Sequence, residues 1–395
     1  MIKYGCQQIS EADIKAVTDV LRSEFLTQGP AVQIFEGELN KYCGSKYAVA
    51  VNSATSALHI AYLALDLQPG DYLWTSPNTF VSTANAALMC GAKLDFVDID
   101  PKTYNMCVET LEAKLKKAAK ADRLPKIVVP VHFAGTPCDM KSIKSLSDKY
   151  SFKIVEDASH AIGATYSTDN NFASDKSVGS GAYSDLTVFS FHPVKIITTG
   201  EGGAVLCNDS KLDQILRLLR SHGVSRNPED LKPSNKGAWC FEQTMLGYNY
   251  RMTDIQAALG SSQIRNLNQF ICRRVQIVKQ YNQHLSDFKH ISLPIIPSSG
   301  NSSHHLYVIQ LSNNLKSHKG QIFNDLISLG VGVNVHYRPV PQQAYYQNID
   351  MDYDDFSVSK DYYERAITLP LHAGMSNDDV SFVSQSVKKI VSQYN

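Results

Sequence analysis

Apolar positions alternate between short continuous runs and helical periods over the first two-thirds of the chain. Ile14, Val17, Val20 and Leu21 fall on one face of a helix over residues 9–22, which Ser10 and Asp13 can cap. Leu26 to Pro30 reads as a turn, and Val32 to Tyr42 as a second helix. Seven apolar runs then read as buried strands: Ala48 to Val51, Tyr72 to Thr75, Lys93 to Val97, Lys126 to Phe133, Phe152 to Val155, Leu186 to Ser190 and Gly203 to Leu206. Helical patterns separate most of them, at residues 54–65, 80–89, 110–120 and 140–150, and another follows at 211–220. That alternation predicts an α/β fold with a mostly parallel central sheet covered by helices on both faces. Residues 167–180 are polar and read as an exposed loop. Near Leu246 the pattern changes. Helices are predicted at 253–268, 270–288, 319–329 and 377–394, with strands at Leu306 to Leu311 and Val331 to His336. This is a smaller C-terminal α+β unit, so the expected division is residues 1–250 and 251–395.

Composition narrows the possibilities. The chain has 395 residues, 43% of them hydrophobic, enough for a large core. Lys plus Arg and Asp plus Glu number 38 each, which gives no electrostatic case for nucleic acid or an anionic membrane. The eight cysteines form no C-x-x-C pair, as expected of reduced structural thiols. The start, Met1-Ile-Lys-Tyr-Gly5, lacks the apolar core of a signal peptide, and no run of about 18 apolar residues is present. The expectation is a soluble cytoplasmic protein. No strand is followed by G-x-G-x-x-G, which argues against a nicotinamide dehydrogenase.

Candidate chemistry lies where strands end, because ligands of open α/β sheets bind beyond the carboxyl ends of the strands. Asn52-Ser-Ala-Thr-Ser56 opens a helix. The backbone N–H groups around Ala54 and the hydroxyls of Thr55 and Ser56 can cradle a phosphate, or merely cap the helix. Asp157 stands at the end of the strand that begins at Phe152, as a site carboxylate or a cap for Ala158 and Ser159. His160 follows it, and Phe80 lies just beyond the strand ending at Thr75; each could face a ring or simply pack in the core. Ser190 ends another strand, as a phosphate ligand or a hydroxyl satisfied by nearby backbone. Phe189-Ser-Phe-His-Pro-Val-Lys195 then brings one lysine into mostly uncharged company, before a Gly-rich turn. Desolvation would make its amine a nucleophile toward carbonyls. A phosphate cradle, then a carboxylate, then a lysine is the chain order of a pyridoxal 5'-phosphate site.

Five stretches in register carry a resemblance along nearly the whole chain. They are Asn52-Ser-Ala-Thr-Ser-Ala-Leu58, Glu156-Asp-Ala-Ser-His-Ala161, Phe189 to Lys195 with Thr199-Gly-Glu-Gly-Gly203, Leu219-Arg-Ser-His-Gly223 and Gly247-Tyr-Asn-Tyr-Arg-Met252. Together they resemble the DegT-type, fold-type-I sugar aminotransferases, most closely those of the pseudaminic acid pathway that aminate C4 of a UDP-keto-sugar with L-glutamate. The resemblance implies that Lys195 is the Schiff-base lysine and that Asp157 partners the pyridine nitrogen. Thr55, Ser56 and Ser190 would take the phosphate, and Phe80 and His160 would flank the ring. Asn249 would reach the phosphate from a neighbouring subunit, which implies a homodimer with shared active sites. Tyr4, Thr27, His192, His305, His336, Tyr337 and Arg338 are the substrate-side candidates, Arg338 suiting a diphosphate. A relative acting on another keto-sugar, of bacillosamine, aminoarabinose or 3-amino type, is the near alternative. A non-catalytic nucleotide-sugar-binding regulator is the distant one. Sugar dehydratases of the same fold carry His at the lysine position, so Lys195 speaks against them.

Overall fold

A computed structural model describes residues 1–167, 175–231, 237, 239–297, 300–349 and 356–395. All seven predicted strands of the first part are present: β1 Tyr47–Val51, β2 Tyr72–Thr75, β3 Lys93–Phe96, β4 Ile127–Val129, β5 Lys153–Asp157, β6 Leu186–Ser190 and β7 Gly203–Cys207. They form one sheet in the order β1-β7-β6-β5-β4-β2-β3. Only β7 runs against its neighbours; β6, β5, β4, β2 and β3 are parallel. Because both faces are covered, successive side chains of one strand enter different cores. Ala48 and Ala50 face one cluster, while Val49 and Val51 face the other. α2 (Pro30–Cys43) packs on the first face, with α5 (Val108–Lys120) and α6 (Met140–Tyr150). The second face carries α3 (Ala54–Ala64), α4 (Val81–Met89) and α7 (Ser210–Arg220). Outside the sheet, α1 (Glu11–Leu21) starts in the expected capping box of Ser10 and Asp13.

Helix α8 (Asp254–Arg265) contributes Ala257 and Ile264 to the first core, beside Phe35 and Leu39 of α2. Helix α9 (Leu267–Leu285) joins two cores: Leu267 and Phe270 belong to the first, and Ile277, Tyr281 and Leu285 to a third. That third core is closed by α10 (Lys319–Ser328), α12 (Asn377–Ser392) and a small antiparallel sheet of β8 (Ile291–Ser292), β9 (Tyr307–Leu311) and β10 (Ala366–Leu369). Helix α11 (Ser357–Arg365) leads into β10.

Two sequence expectations fail here. Residues 331–336 form no strand. Val331 bridges Ile2 and Asn334 bridges Thr368, and the extended segment otherwise runs free of a ladder. The strand that pairs with β9 is β10. Of the polar stretch 167–180, residues 168–174 lie outside the described residues. Its remainder is not a free loop, since Lys176–Ser177 pairs with Thr165–Tyr166 and Val178 is buried. Among the described residues no helix is long and apolar enough to cross a membrane.

Candidate active site

The ends of β1, β2, β5 and β6 open on one cavity of about 550 Å³, within the usual range for small-molecule sites. At the end of β1, Ser53 caps α3, its hydroxyl accepting from the Ser56 N–H at 3.1 Å. Ser53, Ala54 and Thr55 line the cavity. Ser56 does not: it is buried, and its hydroxyl donates to Asn52 Oδ1 at 2.7 Å, within the cap. β7 backs this turn through Gly203, where a Cβ would meet Ala54 N at 2.7 Å. A side chain there would push the first turn of α3 out of place.

Asp157 ends β5 and is 4% exposed. Its Oδ2 accepts from the Thr83 hydroxyl at 2.6 Å, and its Oδ1 accepts from the Ser159 N–H at 3.1 Å. No helix follows; the Ser159 bond closes a local turn, and the Thr83 bond from α4 holds the carboxylate from the other side. Lys195 lies in the turn after β6, its N–H donating to His192 O at 2.8 Å. Its half-buried side chain lines the cavity. Desolvation lowers its pKa to about 8, against the opposing pull of the Asp157 charge. Ser190, at the end of β6, is buried and lines the same cavity.

The facing wall is built of imidazoles. His160 and His305 stand with ring centroids 4.4 Å apart. His160 Nε2 bonds the Tyr337 hydroxyl at 3.1 Å, and His336 Nδ1 bonds the Thr368 hydroxyl at 2.8 Å. Burial first, then the Lys195 charge, hold His160 and His336 below the ordinary imidazole range, His336 to about 3. Burial, with His160 and then Lys195 adding to it, does the same to His305. Nδ1 of His160 and Nδ1 of His305 are buried with no protein partner. Two orphaned nitrogens beside a cavity ask for a ligand or water. Asn78, in the turn after β2, is 1% exposed and accepts the Tyr337 N–H at 3.0 Å, which sets the Tyr337 ring over the site.

Phe80 and His192 sit exposed at the rim, with the Phe80 ring 6.2 Å from Tyr337. Tyr4 lines the cavity 5.6 Å from His336. Thr27, Asn249 and Arg338 are exposed and do not line the cavity of this chain. Thr27 pairs with Thr253, and Asn249 with Ser221. Sequence reasoning missed Ser53, Ser159, Glu201 and Asn334, which line the cavity. An N-cap signal could have singled out Ser53, and the Gly-rich turn could have singled out Glu201; for Asn334, set by an irregular segment, no local signal existed. A larger groove of about 1050 Å³ along β3 and α5 holds no imidazole.

The residues present fit pyridoxal 5'-phosphate: free N–H groups at a helix start, a buried acid, a desolvated lysine amine and unpartnered imidazole nitrogens. Comparison with known proteins bears on the same point. The model of the DegT/DnrJ/EryC1/StrS aminotransferase family matches residues 7–388. The UDP-4-amino-4,6-dideoxy-N-acetyl-beta-L-altrosamine transaminase of Campylobacter jejuni is 38% identical over 99% of this chain and 98% of its own. Among solved structures, Helicobacter pylori PseC, an aminotransferase of pseudaminic acid biosynthesis, superposes with a TM-score of 0.89 at 31% identity, covering 99% of both chains. The Streptococcus pneumoniae protein Spr1654 in its PLP form gives 0.88 at 28% identity, covering 100% of this chain and 99% of its own.

Proposed function

Because this chain belongs to the DegT/DnrJ/EryC1/StrS aminotransferase family and is a pyridoxal 5'-phosphate-dependent nucleotide-sugar aminotransferase, we propose that it moves the amino group of L-glutamate to C4 of a UDP-4-keto-6-deoxy-N-acetylhexosamine. The observation that carries the reading is that Lys195, its amine lowered by desolvation, lines one cavity together with Asp157 and the imidazoles of His160, His305 and His336. The likeness to the altrosamine transaminase supports the choice of sugar.

When bound, the cofactor supplies an aldehyde that takes up the donor's amino group and an electron-poor ring that stabilises charge at the adjoining carbon. The chain's own residues do the rest. The N–H groups of Ala54 and Thr55, the Thr55 hydroxyl and Ser190 would hold the phosphate, with the α3 dipole adding about 0.3–1 kcal/mol. Ser56 would act one step removed, by fixing the cap. Asp157 would hold a proton at the pyridine nitrogen. His160 and Phe80 would flank the ring. Lys195 Nζ takes a proton from the glutamate Cα and, in the second half of the cycle, delivers one to the sugar C4. Such acid–base help is worth ~10²–10⁴-fold. Tyr4, His192, His305, His336 and Tyr337 form the sugar side of the cavity.

Asn249, exposed and outside the chain's own cavity, suits a shared site in a homodimer, where the partner subunit's Asn249 would complete the phosphate cradle. Thr27 and Arg338, exposed like Asn249, are proposed to act toward substrate only in that assembly. The test is to incubate the purified protein with UDP-2-acetamido-2,6-dideoxy-β-L-arabino-hexos-4-ulose and glutamate and identify the product by mass spectrometry and NMR. Nitrogen on C4 is the expected result. No product from this sugar, alongside product from another UDP- or dTDP-keto-sugar, would replace the substrate.

A further inference from the structure

Arg274 of α9 is 2% exposed, and no carboxylate pairs with it among the described residues. Its Nη1 instead sits 3.2 Å from His304 O, 3.2 Å from His305 O and 3.0 Å from Leu371 O. A buried guanidinium spent on three main-chain carbonyls is costly unless the chain it gathers must be held in place. What it gathers is the segment that carries His305. From the other side the same segment is stitched to the turn after β4. His305 N–H donates to Ala134 O at 2.9 Å, Ser303 N–H to Gly135 O at 3.0 Å, and the Ser303 hydroxyl to His160 O at 3.0 Å. Gly135 (φ 92°) lies at the closest point of this seam: a Cβ there would meet Ser303 Oγ at 2.6 Å and His305 N at 2.9 Å. The seam and the guanidinium hold the main chain that carries His305 in the cavity wall, where its Nδ1 is buried with no protein partner.

We infer that Arg274 is a positioning residue for the sugar half of the reaction: it clamps the His304–His305 main chain so that the His305 imidazole stays in the cavity wall that meets the keto-sugar. The inference rests on the proposed reading of the cavity, in which His305 belongs to the sugar side. The clamp has an electrostatic side as well. Burial, His160, Lys195, Arg274 and His336 together keep the His305 ring unprotonated, so it meets the sugar as a neutral hydrogen-bonding group. Removing the Arg274 charge moves the His305 pKa up, toward its ordinary value.

The test uses the cofactor-loaded full chain and separates the half-reactions. Glutamate converts the cofactor to its amine form, and the keto-sugar named above converts it back, each followed by visible absorbance in single turnover. For Arg274→Met the expected result is a sugar half-reaction slowed ~10- to 100-fold more than the glutamate half-reaction, the loss typical of removing an outer-shell orienting group. The acid limb of its pH profile should move to higher pH. His305→Gln should slow the sugar half-reaction selectively too, and the double variant should be little worse than either single one. Should Arg274→Met fail to fold, Arg274→Lys carries the same comparison, keeping the charge while losing the planar reach to three carbonyls. Equal losses in both half-reactions, an unmoved acid limb in Arg274→Met, or additive effects in the double variant would overturn the assignment. If the unsubstituted enzyme does not aminate this sugar, the proposed substrate fails, and the ratio is read with whichever UDP- or dTDP-keto-sugar it does aminate.

Discussion

Strand β5 ends in two neighbouring acids that point to opposite faces of the sheet, and their surroundings differ in one decisive respect. Glu156 is wholly buried and fully satisfied. It accepts from His132 Nε2 at 2.6 Å, from the Thr187 hydroxyl at 3.1 Å, and from the hydroxyls of Tyr166 and Ser184. His132 is in turn fixed by the Cys138 N–H, which donates to its Nδ1 at 3.1 Å. Asp157 is nearly as buried, but it faces the cavity with two protein donors, beside imidazoles that keep orphaned nitrogens. A closed polar network has nothing left to offer a ligand and everything to contribute to the fold. An open one leaves donors and acceptors unmatched, which costs stability unless something binds.

The comparison predicts opposite phenotypes. The largest effect belongs to the open side. Lys195→Ala should fold with an unchanged urea midpoint, show no visible absorbance of covalently held cofactor, and lose transamination by at least ~10²–10⁴-fold; retained turnover would remove Lys195 from the chemistry. Next come the two acids. Glu156→Ala should lose ~3–5 kcal/mol of unfolding free energy, because four donors are left facing an apolar gap. Asp157→Asn should cost under about 1 kcal/mol in the same urea titration, yet cripple turnover. Similar stability losses at both positions would erase the distinction.

The smallest effects concern pH. Burial raises the Glu156 carboxyl, but bonds from His132, Ser184 and Tyr166 outweigh it and hold its pKa below the ordinary value. Its contribution to stability is therefore present above an unfolded pKa of about 4.3 and lost as pH falls through the lower folded value. Glu156→Gln should flatten that acid-side slope of stability. On the open side, an amine titrating near pH 8 must be neutral to capture the aldehyde. The rate at which apoprotein takes up pyridoxal 5'-phosphate should rise with pH and level off above about 8.

Much of this was legible locally. The seven apolar runs mark the seven sheet strands because a strand buried on both faces needs no polar alternation. Ser10 and Asp13 announce α1 through a pattern confined to four residues. Local patterns misled where a partner lay far away in sequence. Residues 331–336 are apolar enough for a strand, but only Val331 and Asn334 find bridge partners, in Ile2 and in Thr368 of β10. Nor could local pattern show that the Ser56 hydroxyl donates to Asn52 and lies outside the cavity lining.

Local pattern suffices for the alternating α/β order, the helix start after β1, the acid at the end of β5 and the lysine in the turn after β6. These follow from periodicity and from residue types a few positions apart. Tertiary structure alone decided which groups meet. It set His160 4.4 Å from His305, 145 positions away in the chain numbering, brought the Arg274 guanidinium to three distant carbonyls, and separated Glu156 from Asp157 by a sheet. The reason is physical: desolvation and hydrogen-bond satisfaction are properties of a packed neighbourhood, and no residue carries them alone.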